Sequence, residues 1–446
     1  MIIIALILTI LGLILNLSCP ADLTNTPAFV LILEYIAVLF FAKRIIDNKI
    51  KSNNTDREKF YAFFLLGFAF SLFVLHFLWT PGLSDTNPQW GFDPQRYYKY
   101  ASVMLKGDFV ADGLNYWGVV LFYYFSFFVF GLNPLIPLYI NVLLVLYATT
   151  LMANFLNGIE GVNVKYKTSA YLLLIPEVIC YNVMSSREIL VMTFGTIAIL
   201  NAYKILQGDK SKLLSLFTVL SLLIMIAIRP PYGICALLLI GVYYLLGIRK
   251  RKKRNKFPII AFALIGVVGL SVVNMAGSLG DNEDIGTSLS ETIGNRVGGT
   301  NVAGDDLTYQ ANSISARLIP HNPVEFVIFG VIRTFAYLVL PPANFFNPIA
   351  AFDVFTDYGG FTEWTTLFMM LLIPTVYKIT RRYYGKREEI NLLIIAFLAF
   401  FFLVGMFNVN LIQMRYRLVY DLFYFSLAIT MLTIQKSRRR KDRILK

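Results

Sequence analysis

Residues 90–109 read WGFDPQRYYKYASVMLKGDF, a polar and aromatic stretch inside an otherwise strongly apolar chain. A helical pattern begins just after Asp93, and its apolar residues share one face. They are Tyr97, Ala101, Met104 and Leu105. The basic residues Arg96, Lys99 and Lys106 fall on other faces. The pattern predicts an amphipathic helix that begins beside the Asp93 carboxylate. Its position relative to the membrane depends on the topology of the rest of the chain.

Composition identifies the class of protein. The 446 residues are 57% hydrophobic and 15% charged, against roughly 45–50% and 25% in soluble chains. Apolar runs of about 20 residues recur along the whole length, as in polytopic membrane proteins. We therefore predict an all-α protein with a single transmembrane domain over residues 1–446. Residues 2–18 are interpreted as a retained helix rather than a signal peptide, because no basic region precedes them.

Basic clusters orient the apolar segments, because Lys and Arg are retained on the cytoplasmic side of a membrane. Six clusters hold 30 of the 40 Lys and Arg residues. They lie at 43–59, 164–167, 204–212, 249–256, 378–387 and 436–446. With all six in the cytoplasm, both ends of the chain are cytoplasmic. We expect a multi-pass protein of the bacterial plasma (inner) membrane.

The number of crossings between successive cytoplasmic clusters must be even, which excludes two apolar segments from the count. Residues 114–131 are aromatic and follow the polar stretch, so we place them on the outer face as an interfacial or re-entrant helix. Residues 324–342 carry Arg333 in the middle and end in two prolines, and we place them there too. About twelve spans remain. They are 2–18, 28–42, 60–79, 135–155, 169–182, 189–203, 213–228, 232–248, 258–275, 362–377, 390–407 and 418–434.

This topology leaves two long regions outside the membrane, residues 80–134 with their juxtamembrane helices and the loop region 276–361. Charges near the outer ends of spans are expected to face a cavity, because ionisable groups are costly near hydrocarbon. The candidate residues are Asp93, Arg96, Tyr97, Arg187, Glu188, Arg229, Arg317, Arg333, Arg415 and Arg417. Arginine forks bind phosphate oxygens, and a carboxylate accepts a proton from an attacking hydroxyl. Glu188 is expected to pair with an arginine of another span.

The opening stretch resembles the first-loop motif of GT-C-fold membrane glycosyltransferases, in particular the protein O-mannosyltransferase and lipid A aminoarabinose transferase group. The matching positions are Asp93, Tyr97, Ala101, Leu105, Gly107, Asp108 and Phe109. The following segment is similar to that group's juxtamembrane helix, and RYRLVYD (415–421) to an Arg-Tyr motif near the end of these domains. Pro94 stands where the group has a second acidic residue.

The resemblance implies a GT-C-like fold and transfer of a sugar from a polyprenyl-phosphate-linked donor to a cell-envelope glycan, lipid or protein acceptor. Asp93 would be the catalytic base, and Arg187, Arg229 and Arg415 or Arg417 would hold the phosphate. Transfer would invert the anomeric carbon. It would be metal-independent or only weakly assisted by a divalent metal, because no carboxylate cluster is evident. We expect no resident cofactor and no nucleic-acid partner, whereas membrane lipids surround the chain.

Other functions remain open at this point. A Wzy-like O-antigen or capsular polysaccharide polymerase, or a related ligase, also has many spans, a long outer loop and arginines for undecaprenyl-pyrophosphate-linked glycans. A transporter or flippase for lipid-linked sugars is a third interpretation, which the absence of evident repeats or broken helices disfavours. A non-catalytic membrane scaffold is the fourth.

Overall fold

A computed structural model describes residues 1–17, 26–79, 92–108, 117–162, 164–248, 323–339, 359–407 and 414–444. Helices and short connections make up this part of the chain, and no strand occurs in it. The prediction of an all-α protein is therefore confirmed. The predicted segment 258–275, the basic cluster 249–256 and most of the loop region 276–361 lie outside the described residues.

Nine helices precede the middle of the chain. They are α1 (Ile2–Asn16), α2 (Ala28–Lys49), α3 (Asn54–Trp79), α4 (Phe92–Leu105), α5 (Trp117–Phe130), α6 (Leu135–Asn157), α7 (Tyr166–Ser169), α8 (Pro176–Asn182) and α9 (Arg187–Leu206). Six more helices follow. They are α10 (Lys212–Ile228), α11 (Pro230–Ile248), α12 (Pro323–Val339), α13 (Gly359–Tyr383), α14 (Glu388–Phe407) and α15 (Leu418–Ile444). Short 3-10 helices occupy Ala170–Leu174 and Met414–Arg417.

Five helices of the described chain are long and apolar enough to cross a membrane. They are Asn54–His76, Leu135–Asn157, Arg187–Leu206, Glu388–Gly405 and Leu418–Arg438. Shorter apolar helices include Ile2–Asn16, Trp117–Phe130, Lys212–Ile228, Pro230–Tyr244 and Ile328–Leu338. Length and composition therefore fit an integral membrane protein.

One predicted span has a different structure from the one expected. Residues 169–182 were predicted as a continuous helix, but the chain forms α7, the 3-10 helix Ala170–Leu174 and α8 in succession. Pro176 opens α8, and Ile175 before it is extended at φ −63° and ψ 122°. Because proline donates no backbone hydrogen bond and disfavours a helical residue before it, the helix cannot run through this point.

Helix α9 is the centre of the bundle. Its residues from Glu188 to Tyr203 are all buried, and it packs against α6, α10, α11 and α15. A helix that is apolar on every face must be enclosed by other helices or by lipid. Here the neighbouring helices enclose it. The first turn of α9, which bears Arg187 and Glu188, therefore lies within the bundle.

The two ends of α9 lie in different surroundings. At a rise of about 1.5 Å per residue, its 20 residues separate the ends by roughly 30 Å. The hydroxyl of Tyr203, near the last turn, donates to Glu389 Oε1 at 3.3 Å, and Gln207 Nε2 donates to Glu388 Oε2 at 3.3 Å. These contacts bring the clusters 204–212 and 378–387 to the same end.

Two further basic clusters meet at that end of the bundle. Asn154 Nδ2, near the end of α6, donates to the Lys49 carbonyl oxygen at 2.7 Å. The Tyr166 hydroxyl donates to Asn154 Oδ1 at 3.0 Å. The clusters 43–59 and 164–167 therefore lie together. We call this side of the molecule the basic end, and the side that holds the first turn of α9 the site end.

Helix α4 has the amphipathic character that the sequence predicts. Tyr97 and Ala101 are fully buried, and Met104 and Leu105 pack against the core. Arg96, Lys99 and Lys106 are exposed. Helix α4 packs on α5, and α5 in turn contacts α6 and α10. The 14 residues of α5 rise only about 21 Å, which is less than the roughly 30 Å of a bilayer's hydrocarbon core.

We predict that Gly67→Ala lowers the thermal stability of the protein. A Cβ atom at position 67, in the middle of α3, would lie 2.7 Å from the backbone oxygen of Leu173, so the broken segment would have to move. Such overpacking costs about 1–3 kcal/mol. The measurement is thermal unfolding of the purified protein in detergent.

The matched control is Gly241→Ala, inside α11, where an added Cβ meets no atom within 4 Å. Alanine improves helix propensity equally at both positions. The control should therefore unfold at the wild-type temperature or above it. Equal stability of the two variants would contradict the close approach of α3 to the segment 170–174.

Candidate functional site

The site is built around the first turn of α9. Ser185 and Ser186 before it are fully buried, and the Ser186 hydroxyl caps the helix by accepting from the Ile189 backbone N–H at 3.4 Å. A serine at this position satisfies a donor that would otherwise lack a partner at the helix start. The next two residues, Arg187 and Glu188, are about 100° apart around the helix, and they contact different elements.

The Arg187 guanidinium lies over the ring of Tyr97. Its carbon Cζ is 5.4 Å from the ring centroid, within the range of a cation–π contact. Tyr97 is fully buried in α4, whereas Arg187 is half-buried. This contact attaches α4, the helix of the opening sequence stretch, to the N-terminus of the central helix.

Glu188 forms an ion pair with Arg229, as the sequence led us to expect of an arginine from another helix. Arg229 Nη1 lies 3.1 Å from Glu188 Oε1, with side-chain exposures of 14% and 2%. Arg229 ends α10 in a non-helical conformation, at φ −155° and ψ 87°, because Pro230 follows it directly. Its Cζ also lies 4.7 Å from the ring centroid of Tyr232 and 4.5 Å from that of Tyr416.

A second ion pair is completely buried. Arg417 Nε lies 2.6 Å from Glu177 Oε2, and both side chains have zero exposure. Arg417 Nη1 also donates to the Thr366 hydroxyl. The neighbouring Thr365 hydroxyl accepts from the Glu177 backbone N–H at 2.9 Å. These bonds join α8, α13 and the start of α15 into one unit beside the first turn of α9.

Asp421 adds a further carboxylate one helical turn after Arg417. It is fully buried in α15, and neither of its carboxylate oxygens has a hydrogen-bond partner among the described residues. Charged groups inside a membrane helix are costly and generally mark functional positions. Together with Glu177 it places two buried carboxylates near a single guanidinium.

Hydrogen bonds around Asn141 stabilise the turn that precedes α9. Asn141 of α6 is fully buried, and its Nδ2 donates to the carbonyl oxygens of Asn182 at 3.0 Å and Met184 at 2.9 Å. The Tyr123 hydroxyl donates to Asn141 Oδ1 at 3.2 Å. The network fixes the turn between α8 and α9, and with it the position of Arg187.

The structure brings several of the predicted site residues together. Tyr97, Arg187, Glu188, Arg229 and Arg417 form a continuous series of contacts and neighbours at the site end. Arg96 lies on the exposed face of α4. Asp93 belongs to α4 and Arg415 to the 3-10 helix Met414–Arg417, but their side chains lie outside the described residues. Arg317 lies outside them altogether.

Arg333 forms a contact between two helices. The sequence predicted it among the substrate-binding arginines; in the structure it is fully buried in α12, and its Nε donates to the Gly405 carbonyl oxygen at 3.0 Å. That bond ties α12 to α14 and does not join Arg333 to Arg187 or Arg229. The hydrogen bond to a backbone carbonyl gives Arg333 a structural contact between two helices.

Sequence reasoning missed Glu177, Asp421 and Asn141. Each is a single polar residue inside an apolar segment, and that pattern could have identified them, because such residues are rare in membrane helices and need partners. Within the described residues, no group of three or more His, Cys, Asp and Glu side chains could hold a metal ion.

Comparison of the chain with models of protein families, with curated proteins and with solved structures found no match.

We predict strong coupling between Arg417 and Glu177 in a double-mutant cycle. Arg417→Met and Glu177→Gln should each lower the free energy of unfolding by about 3–5 kcal/mol, because each leaves a buried charge without its partner. The double variant should lose much less than the sum. Unfolding by SDS titration in detergent micelles measures all three variants.

Lys99→Met, on the exposed face of α4, provides a control for replacing a long cation by methionine. Its stability should stay within about 0.5 kcal/mol of wild type. Additive losses from Arg417→Met and Glu177→Gln would contradict a direct interaction between the two side chains.

Proposed function

We propose that the protein is an integral-membrane glycosyltransferase with a GT-C-like architecture of about twelve spans. It would transfer a sugar from a polyprenyl-phosphate-linked donor to a glycan, lipid or protein acceptor on the non-cytoplasmic face. The observation that carries this proposal is the contact of Tyr97 with Arg187. It joins the helix that bears the resemblance to the central helix, next to a second arginine, Arg229.

The first turn of α9 has the properties of a phosphate site. The N-terminus of a 20-residue helix carries partial positive charge and exposes backbone donors. Arg187 adds a half-buried guanidinium at the same turn. Arg229 lies beside this turn, where it forms an ion pair with Glu188. Glu188 would hold Arg229 in place, so that a second guanidinium contributes to the phosphate site.

The proposed reaction uses Asp93 as the general base. The acceptor hydroxyl would give its proton to the Asp93 carboxylate while its oxygen forms a bond to the anomeric carbon of the sugar. The bond between that carbon and the phosphate oxygen would break, and polyprenyl phosphate would leave with the electron pair. Arg187 and Arg229 would stabilise the negative charge on the leaving group.

Asp93→Asn should abolish sugar transfer, because an amide cannot accept the proton. Arg187→Gln should lower the rate by roughly 10²–10³-fold, the cost of removing one electrostatic donor. Lys99→Gln, which removes an exposed cation from α4, should transfer at the wild-type rate. The assay supplies polyprenyl-phosphate-linked monosaccharides to the full-length protein in liposomes and counts single-sugar products.

Retained transfer by Asp93→Asn would refute its role as the base. Product ladders formed only from undecaprenyl-pyrophosphate-linked repeat units would instead support a polymerase of the Wzy-like kind.

A transporter of lipid-linked sugars is the second candidate, because α7, the 3-10 helix and α8 form a broken helix with the buried Glu177 in it. Discontinuous helices are common at the binding sites of transporters. In a liposome assay that follows the lipid across the bilayer, a transporter would continue to flip lipid with Asp93→Asn. A glycosyltransferase would show no flipping above empty liposomes.

The orientation of the bundle gives a further prediction. A cysteine at Lys106, exposed at the site end, should react with a membrane-impermeant maleimide added to intact cells. One at Lys210, exposed at the basic end, should react only after lysis. Of the native cysteines that the structure describes, Cys180 is buried and Cys235 half-buried, so the parent protein serves as the background control. The opposite pattern would invert the topology.

A further inference from the structure

A groove of about 550 Å³ lies at the basic end between α13 and α15. It is far along the bundle from the first turn of α9, and the proposed glycosyl transfer makes no use of it. Its lining residues come from two helices. They are Pro374, Tyr377, Lys378, Arg381, Arg382, Met431, Ile434, Gln435 and Arg438.

The α13 wall changes from apolar to basic along the helix. Tyr377 and Lys378 lie three and four residues after Pro374, and Arg381 lies four and three residues after them, so the four residues share a face. Pro374 lies inside the helix, and the lysine and arginines come in its last turns. The four cationic and aromatic side chains that follow Pro374 are exposed.

The α15 wall also changes from apolar to basic along the helix. Met431 and Ile434 are buried at 4% and 8% exposure, whereas Arg438 is exposed. The apolar membrane-crossing part of this helix runs over Leu418–Arg438, so the groove occupies its last two turns. Both walls are therefore apolar toward the bundle centre and basic toward the end of the span.

The charges of the groove are of one sign. Lys378, Arg381, Arg382 and Arg438 supply four cations, and none of the lining residues is acidic. Four cations close together repel one another unless an anion binds between them. The groove has an apolar floor and a cationic rim, and it lies where a span leaves the hydrocarbon. Such a groove suits a phospholipid, which has both acyl chains and a charged headgroup, better than a free anion.

We propose that this groove binds an anionic phospholipid. The phosphate lies among the side chains of Arg381, Arg382 and Arg438, and an acyl chain lies against Met431 and Ile434. Arginine forks suit the phosphate oxygens. Methionine adapts its shape to a flexible chain. Bound in this way, the lipid joins α13 to α15 at the end opposite the site.

The test uses the full-length protein in a zwitterionic detergent and follows thermal unfolding as lipid is titrated in. Phosphatidylglycerol should raise the unfolding temperature of the wild type in a saturable manner. Phosphatidylcholine and inorganic phosphate should have little effect, since one lacks net charge and the other lacks a chain. Stabilisation by inorganic phosphate as strong as that by phosphatidylglycerol would overturn the proposal in favour of a free-anion site.

The groove variant carries Arg381→Gln, Arg382→Gln and Arg438→Gln together. A juxtamembrane cation contributes about fivefold to the affinity for anionic lipid, so the variant should bind phosphatidylglycerol on the order of 100-fold more weakly. Each single substitution should cost about fivefold. Without lipid the variants should unfold at the wild-type temperature or slightly above it, because all three side chains are exposed and their mutual repulsion is removed.

The matched control removes three exposed cations of the basic end that do not line the groove, by Lys210→Gln, Lys212→Gln and Lys386→Gln. It lowers the net charge of the protein by the same amount. The control should keep phosphatidylglycerol affinity within about twofold of wild type. An equal loss in both triple variants, or equal stabilisation by phosphatidylcholine, would show that no specific site exists.

Discussion

The fully buried ion pair between Arg417 and Glu177 is the interaction on which the site end of the bundle depends. Moving both charges out of water is costly, and the cost is recovered only when the partners meet in good geometry. Glu177 belongs to the short helix α8 and Arg417 to the 3-10 helix that leads into α15, while the Thr366 hydroxyl on α13 accepts from the same guanidinium. These contacts hold together three helical elements from distant parts of the chain.

This arrangement also explains why a broken helix is tolerated inside the bundle. Pro176 interrupts the segment, but the Glu177 backbone N–H finds the Thr365 hydroxyl and its carboxylate finds Arg417. Polar groups freed by a helix break must be satisfied within the protein, because lipid offers no partners. Asn141 has a corresponding role for the turn before α9. Glu177, Arg417 and Asn141 therefore stabilise the frame in which Arg187 and Arg229 lie.

The bundle has chemically distinct ends, and the two proposals use one each. At the site end, α4 packs through Tyr97 onto the N-terminus of α9, where helix polarity and arginines favour a phosphate. At the basic end, cations from several clusters collect around the ends of α6, α9 and α13. Both proposals involve phosphate-bearing lipids, but the first concerns a substrate that reacts and the second a lipid that stays intact.

Much of this protein was determined by local sequence alone. The apolar runs specify helices long enough for a membrane, and the pattern around Tyr97 and Ala101 specifies the buried face of α4, because both depend only on residues close in the chain. The sequence predicted that Glu188 would pair with an arginine of another span, but it did not identify which arginine. Only the tertiary structure decided that it is Arg229, that Arg333 binds a backbone carbonyl, and that Glu177 and Arg417 meet across 240 positions. Such pairings follow from how helices pack in space, and no local pattern encodes that packing.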